Sequence, residues 1–184
     1  MNNAKPRIYL DAAPIIDLVK VKVGVGLDSE LEKSAWYVQQ MIRAAQAEHI
    51  NLYTSGLSIA ECTHVKDQKK LEQAKPFFMG LLTSGKGGIV LVQPTLNILE
   101  RARDLRWIHG VSLKGVDAIH VASALHFKCD ELITLDGRIA KNGPILERFG
   151  IRVCHGLHSQ SLPSQYRQGQ LFENPGEQDS PTKN

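Results

Sequence analysis

The chain has 184 residues, of which 42% are hydrophobic and 22% charged, the balance of one globular domain with a sizeable core. A net charge of +3 neither demands a polyanionic partner nor excludes one, because local clustering of charge matters more than its sum. No apolar run approaches the roughly 20 residues of a membrane-spanning helix, and the opening MNNAKPRIYLDAAP lacks the apolar stretch of a secretory signal, so a cytoplasmic protein is expected.

The first element is a short β-rich run, Arg7 to Asp11, followed at once by a helix through about Val21 with Pro14 in its first turn, where a missing N–H costs nothing. Ser29 to Glu48 carries Leu31, Ala35, Val38, Ile42 and Ala45 at helical spacing, with Asp28 or Ser29 as cap. Asn51 to Thr54 reads as a strand, and Leu57 to Val65 as a helix. Asp67 to Leu82 is also helical, and Pro76 is expected to kink or divide it. Ile89 to Val92 is a strand, Thr95 to Ile108 a helix with Leu99, Ala102 and Leu105 on one side, and Val116 to Phe127 a mostly apolar helix. Strands at Glu131 to Leu135 and Ile151 to Cys154 complete a set of five. Strands alternating with helices predict an α/β domain over residues 1–156, its parallel sheet covered on both faces.

From Leu157 to Asn184, Ser, Gln, Pro, Gly and Asn make up 16 of 28 residues without a period, which predicts a flexible tail, extended or disordered, or ordered only against a partner. The cysteines at 62, 129 and 154 are odd in number and form no CxxC, as expected of reduced thiols. His64, His155 and His158 lie near two of them, but the doubled short spacings of a structural zinc site are missing.

Four acids carry the chemistry. In an open α/β sheet, ligands bind beyond the carboxyl ends of the strands. Asp11 ends the first strand, and Asp136 follows ELITL, with Thr134 two residues earlier on the same strand face. Glu61 lies in the helix after NLYTS, and Asp117 stands in the first turn of its helix, where the dipole favours a negative charge. Each has an ordinary role open to it, as a cap, a turn residue or a solvated helix residue. Together they would repel one another unless a divalent cation joined them, a pattern that points to phosphodiester chemistry.

Three segments resemble the PIN domain family. RIYLDAAPIIDLVK is similar to its opening strand and helix, SGLSIAEC to its Glu-bearing segment, and GVDAIHVASALHFKCDELITLDGRIAK to its Asp-led helix and following strand. The likeness covers roughly Arg7 to Cys154 and is nearest in style to VapC-type toxin ribonucleases. It implies a three-layer α/β/α fold with a central parallel five-stranded sheet. The activity implied is Mg²⁺- or Mn²⁺-dependent endoribonuclease cleavage, inhibited by a small antitoxin protein, and the usual assembly is a homodimer. On this resemblance Asp11 and Asp117 are the principal metal ligands. Glu61 completes the acidic set or positions the attacking water, and Asp136 binds a second metal or an outer water. Thr134 is a supporting hydroxyl, and Arg138, Lys141 and Lys114, which flank the acidic motifs, are candidates to hold RNA phosphates.

The sequence departs from that pattern in places. Ala13 stands where the family often has Ser, Thr or Asn, Asp17 adds an acid near the site, and the stretch Lys20 to Asp28 and the polar tail exceed the compact toxin pattern. Ala13 also argues against a haloacid-dehalogenase phosphatase, which needs a second Asp there. The acids do not fall as a receiver domain requires, and SGKGG lacks the phosphate-loop spacing and leads into a strand. The alternative outside the enzymes is a PIN-like module that binds RNA or protein without cutting.

Overall fold

The computed structural model describes residues 4–63, 65 and 67–168. Five strands form one all-parallel sheet in the order β3-β2-β1-β4-β5: β1 Arg7–Leu10, β2 Asn51–Ser55, β3 Ile89–Val92, β4 Glu131–Ile133 and β5 Arg152–Cys154. The helices are α1 Ala12–Lys22, α2 Ser29–Gln46, α3 Ser58–Glu61, α4 Gln68–Leu82, α5 Leu96–Trp107, α6 Gly115–His126, α7 Gly137–Lys141 and α8 Gly143–Leu146. Among the described residues no helix is long and apolar enough to cross a membrane.

Side chains alternate across the sheet, as a pleated strand requires. Ile8, Leu10, Leu52 and Ile133 enter one core with α1, α2 and α4, whereas Tyr9, Val92 and Leu132 enter the other with α5, α6, Ile139 and Leu146. Helices thus cover both faces of the expected five-stranded parallel sheet. Caps fix their starts: the Asp28 carboxylate accepts from the N–H groups of Glu30 and Leu31, and Asp67 does the same for Lys69 and Lys70.

Two helices differ from expectation. Pro76 does not divide α4, which runs unbroken from Gln68 to Leu82. The carbonyl left without an intrahelical donor belongs to Glu72, and both residues are exposed, so it is open to solvent. The helix around Glu61 is a single turn, α3, after which Thr63 N–H donates to the Glu61 carbonyl and Val65 N–H to that of Thr63.

The expected flexible tail also changes character. Residues 169–184 lie outside the described residues, but the part before them packs on the domain in two 3₁₀ turns, Gly156–His158 and Ser164–Tyr166. Leu162 is fully buried in the core of α1 and α2. The buried Glu131 carboxylate accepts from Ser159 Oγ at 2.6 Å, Gln160 N–H at 2.7 Å and Arg152 Nη1 at 3.1 Å. A buried charge must be paired, and the polar start of the tail supplies two of the three partners, β5 the third.

Candidate active site

The strand order reverses direction between β1 and β4: the chain leaves β1 toward β2 and β3, and leaves β4 toward β5. Such a switch point opens a crevice beyond the strand ends. Leu10 is in register with Ile133, and Asp11 N–H donates to the Ile133 carbonyl at 3.0 Å, so Asp11 and Thr134 leave the sheet side by side.

Asp11 is 7% exposed and caps α1, accepting from Ala12 N–H at 2.8 Å through Oδ1. Its Oδ2 accepts from Thr134 Oγ1 at 2.7 Å. The Thr134 hydroxyl, fully buried, accepts in turn from Asp136 N–H at 3.0 Å. Thr54 Oγ1 donates to the Leu10 carbonyl at 2.7 Å and so ties the end of β2 to that of β1. Beyond it, α3 brings Glu61 to the same edge. Asp117 sits in the first turn of α6, and Asp136 caps α7 by accepting from Arg138 N–H.

The four carboxylates gather here as two pairs, not as one ligand cage. Arg138 lies between Asp117, at 3.2 Å from its Oδ2, and Asp136, at 2.6 Å. His120 Nε2 stands 2.7 Å from Glu61 Oε2 and 3.9 Å from Asp11 Oδ1. Among the described residues no three His, Cys, Asp or Glu side chains form a group able to hold a cation by themselves. The expected cation, held directly or through water, is therefore not enclosed by side chains alone: the Arg138 guanidinium pairs with two of the acids and the His120 N–H donates to a third. The donor set still fits a hard cation. All four groups are carboxylates, and Mg²⁺ commonly takes one or two of these and completes its shell with water and substrate phosphate.

Electrostatics separate the two acids that share Arg138. Burial raises the Asp117 carboxyl above the ordinary range; Arg138 opposes this, while Asp136 and Asp11 reinforce it. Asp136 is held below that range, chiefly by the hydrogen bond from the Arg138 side chain. Lys114, at the cap of α6, and Lys141, at the end of α7, are exposed and make no ion pair with these acids among the described residues. Asp17 faces away from this role, paired with Lys20 at 2.8 Å on α1.

Sequence reasoning missed His120 and Tyr9. His120 is 1% exposed, and its Nδ1 lies 2.9 Å from the Tyr9 hydroxyl. Burial pushes the Tyr9 phenol far above its ordinary range, so it remains a donor. Tyr9 O–H donating to Nδ1, with Nε2–H donating to Glu61, satisfies all three groups. The available signal was a His in the middle of a mostly apolar helix, three residues after Asp117.

No curated protein and no solved structure matches the chain. The PIN domain family model matches residues 27–143, a span that holds Glu61, Asp117 and Asp136 and begins after Asp11. PIN domains are generally nuclease domains that act on nucleic acids and use divalent metal ions. The match covers well over half of the chain, and with the five-stranded parallel sheet it shows that the chain belongs to the PIN domain family.

Proposed function

We propose that the chain is a Mg²⁺- or Mn²⁺-dependent endoribonuclease that selects unpaired RNA and cuts it at the crevice between β1 and β4. The observation that carries this reading is the arrival of Asp11, Glu61, Asp117 and Asp136 at one sheet edge from four different elements. Asp11 and Asp117 would hold the cation, with Glu61 completing the set or orienting the attacking water and Asp136 binding outer water. A divalent cation at such a site polarises a phosphoryl oxygen and eases departure of the leaving oxygen in an in-line displacement.

The chain's own groups do the positioning. Thr134 fixes one oxygen of Asp11 and the Ala12 N–H fixes the other, so this carboxylate presents a defined face. His120 sets the direction of Glu61. Arg138, with its side chain 70% exposed, can exchange its carboxylate partners for an RNA phosphate, to which guanidinium binds well.

The test uses purified protein with structured and unstructured RNAs, with Mn²⁺ or with chelator, beside Asp11→Asn and Asp117→Asn. Cleavage is expected only with metal, on unpaired RNA, and down at least a hundredfold in each variant. Cleavage that persists through chelator and both substitutions overturns the mechanism. The pairing of Asp117 and Asp136 with Arg138 favours a second reading, a module that binds RNA without cutting; binding without cleavage under every metal would establish it. The finer assignment, a toxin acting as a homodimer and restrained by a small antitoxin, rests on the VapC-like character of the three segments. Co-expression with the product of a neighbouring small reading frame is expected to abolish cleavage and form a complex.

A further inference from the structure

Beside the acidic crevice, α5 and α6 enclose an open groove of about 360 Å³, within the range of small-ligand sites. One wall is Leu99, Ala102, Arg103, Arg106 and Trp107 of α5, and the other runs from Leu113 through Lys114 and Gly115 to Ala118 and Ile119. Three cations line it and no carboxylate does. Trp107 is 74% exposed, an unusual place for the largest apolar side chain. The Arg103 guanidinium lies 5.2 Å from the centre of its ring while Nε donates to Asp104, which does not line the groove.

We propose that this groove is a subsite for single-stranded RNA, seating a nucleotide that flanks the scissile phosphate, with its base on Trp107 and its phosphates against Arg106 and Lys114. The inference rests on the nuclease reading for its orientation and adds a substrate path. Exposed aromatic rings stack bases of any sequence, and cations beside them track the backbone. The groove and the acidic site share the first turn of α6, where Gly115 lines the groove and Asp117 stands two residues further along. Crossing the end of a helix spans about 10 Å, so the strand reaches from groove to carboxylates within one or two nucleotides. A duplex would present its backbone but no free base face to Trp107.

A second copy of the chain is the competing occupant. A twofold contact centred on the groove would bring Arg103, Arg106 and Lys114 against their own counterparts, and these like charges have no acid in the groove to neutralise them. RNA supplies the opposite charge.

The probe is a fluorescein-labelled single-stranded RNA of about 12 nucleotides, within the site sizes of single-strand grooves, with its duplex as control. Affinity is read by anisotropy in chelator, so that nothing is cut. Trp107→Ala is expected to weaken single-strand binding about tenfold, in keeping with loss of one stacked base, while Trp107→Phe retains most of it. Arg106→Gln is expected to lower the slope of log affinity against log salt by about 0.7, one phosphate contact on a single strand. In a Trp36→Phe background the remaining indole is expected to be quenched as RNA saturates. Unchanged affinity in Trp107→Ala and Arg106→Gln, or an unquenched indole, overturns the subsite even if the parent chain cuts RNA. No RNA binding by the parent chain overturns it as well. A shift from dimer to monomer in Trp107→Ala at unchanged RNA affinity assigns the groove to a second copy. If the parent chain never cuts but the groove variants still lose RNA, the subsite stands and the nuclease reading falls.

Discussion

Thr134 Oγ1 donates to Asp11 Oδ2 at 2.7 Å and accepts from the Asp136 N–H at 3.0 Å, so one buried hydroxyl couples two acids that are 125 residues apart in the chain. Thr134→Val keeps the shape and removes both bonds. Leaving a buried carboxylate oxygen and an N–H without partners is expected to cost about 1–3 kcal/mol in urea unfolding. Cleavage should fall about tenfold, since the carboxylate is no longer fixed. Thr134→Ser should restore most of both, and a Ser variant as damaged as Val would show that the methyl, not the hydroxyl, matters.

His120 gives Glu61 its direction in the same way. His120→Ala is expected to weaken Mn²⁺ binding several-fold by calorimetry, because Glu61 regains rotamer freedom that the cation must then restrict. Tyr9→Phe removes only the donor to Nδ1; it should cost about 1–2 kcal/mol of stability and alter Mn²⁺ binding less than the His120 change. Equal Mn²⁺ affinity in His120→Ala and the parent would remove His120 from the site.

On the proposed mechanism, Arg138 would compete with the cation for Asp117 and Asp136. The Arg138 side chain is exposed, so water and salt screen both ion pairs and each is weak. Arg138→Ala should therefore raise Mn²⁺ affinity by about two- to fivefold in calorimetry while weakening RNA binding. Weaker Mn²⁺ binding in that variant would mean that Arg138 orients the carboxylates for metal instead of blocking them.

The five strands were legible because each is a short apolar run between turn residues, and β3, Ile89–Val92, matches its expected bounds. The approach of Asp11 and Asp136 was legible too, since parallel topology sends the ends of β1 and β4 to one edge, whereas Glu61 and Asp117 arrive on helices. What surrounds the acids was not. His120 lies on an apolar helix and looks like a core residue, and nothing local says that α3 will end opposite its imidazole. Arg138 was read as a phosphate contact from its position beside Asp136; that its side chain also reaches Asp117 depends on how α6 and α7 pack. Composition made the start of the tail look solvated, because the charge it covers, Glu131, sits in an apolar strand far earlier in the chain.

The thiols give the pH dependence. Burial pushes Cys62 and Cys129 from the ordinary 9.0 up to about 12. A folded value above the unfolded one means that the folded state retains protons as pH rises. The stability these groups contribute is therefore complete below about pH 9 and lost between 9 and 12. Each is expected to cost about 1.4 kcal/mol per pH unit in that window, read as a falling urea midpoint. The Cys62→Ala, Cys129→Ala double variant should make the decline less steep, with Cys154, raised alike, and the buried Tyr9 leaving a remainder, and an undiminished slope there would place its origin elsewhere.

Glu131 makes the beginning of the tail part of the domain. Its carboxylate is 2% exposed and draws Ser159 Oγ, the Gln160 N–H and Arg152 onto itself, while Leu162 fills the core above α1 and α2. A chain ended after Gly156 loses two of the three donors and uncovers an apolar pocket. It should be less stable by about 3–5 kcal/mol, the cost of breaking a buried charge network. Glu131→Gln in the full chain tests the cause, because it removes the charge and leaves the packing of Leu162 intact. If the unpaired charge dominates, Glu131→Gln should recover part of the stability that truncation removes when the two changes are combined. If packing dominates, the double variant should be no more stable than the truncated chain, and Leu162→Ala alone should account for the loss.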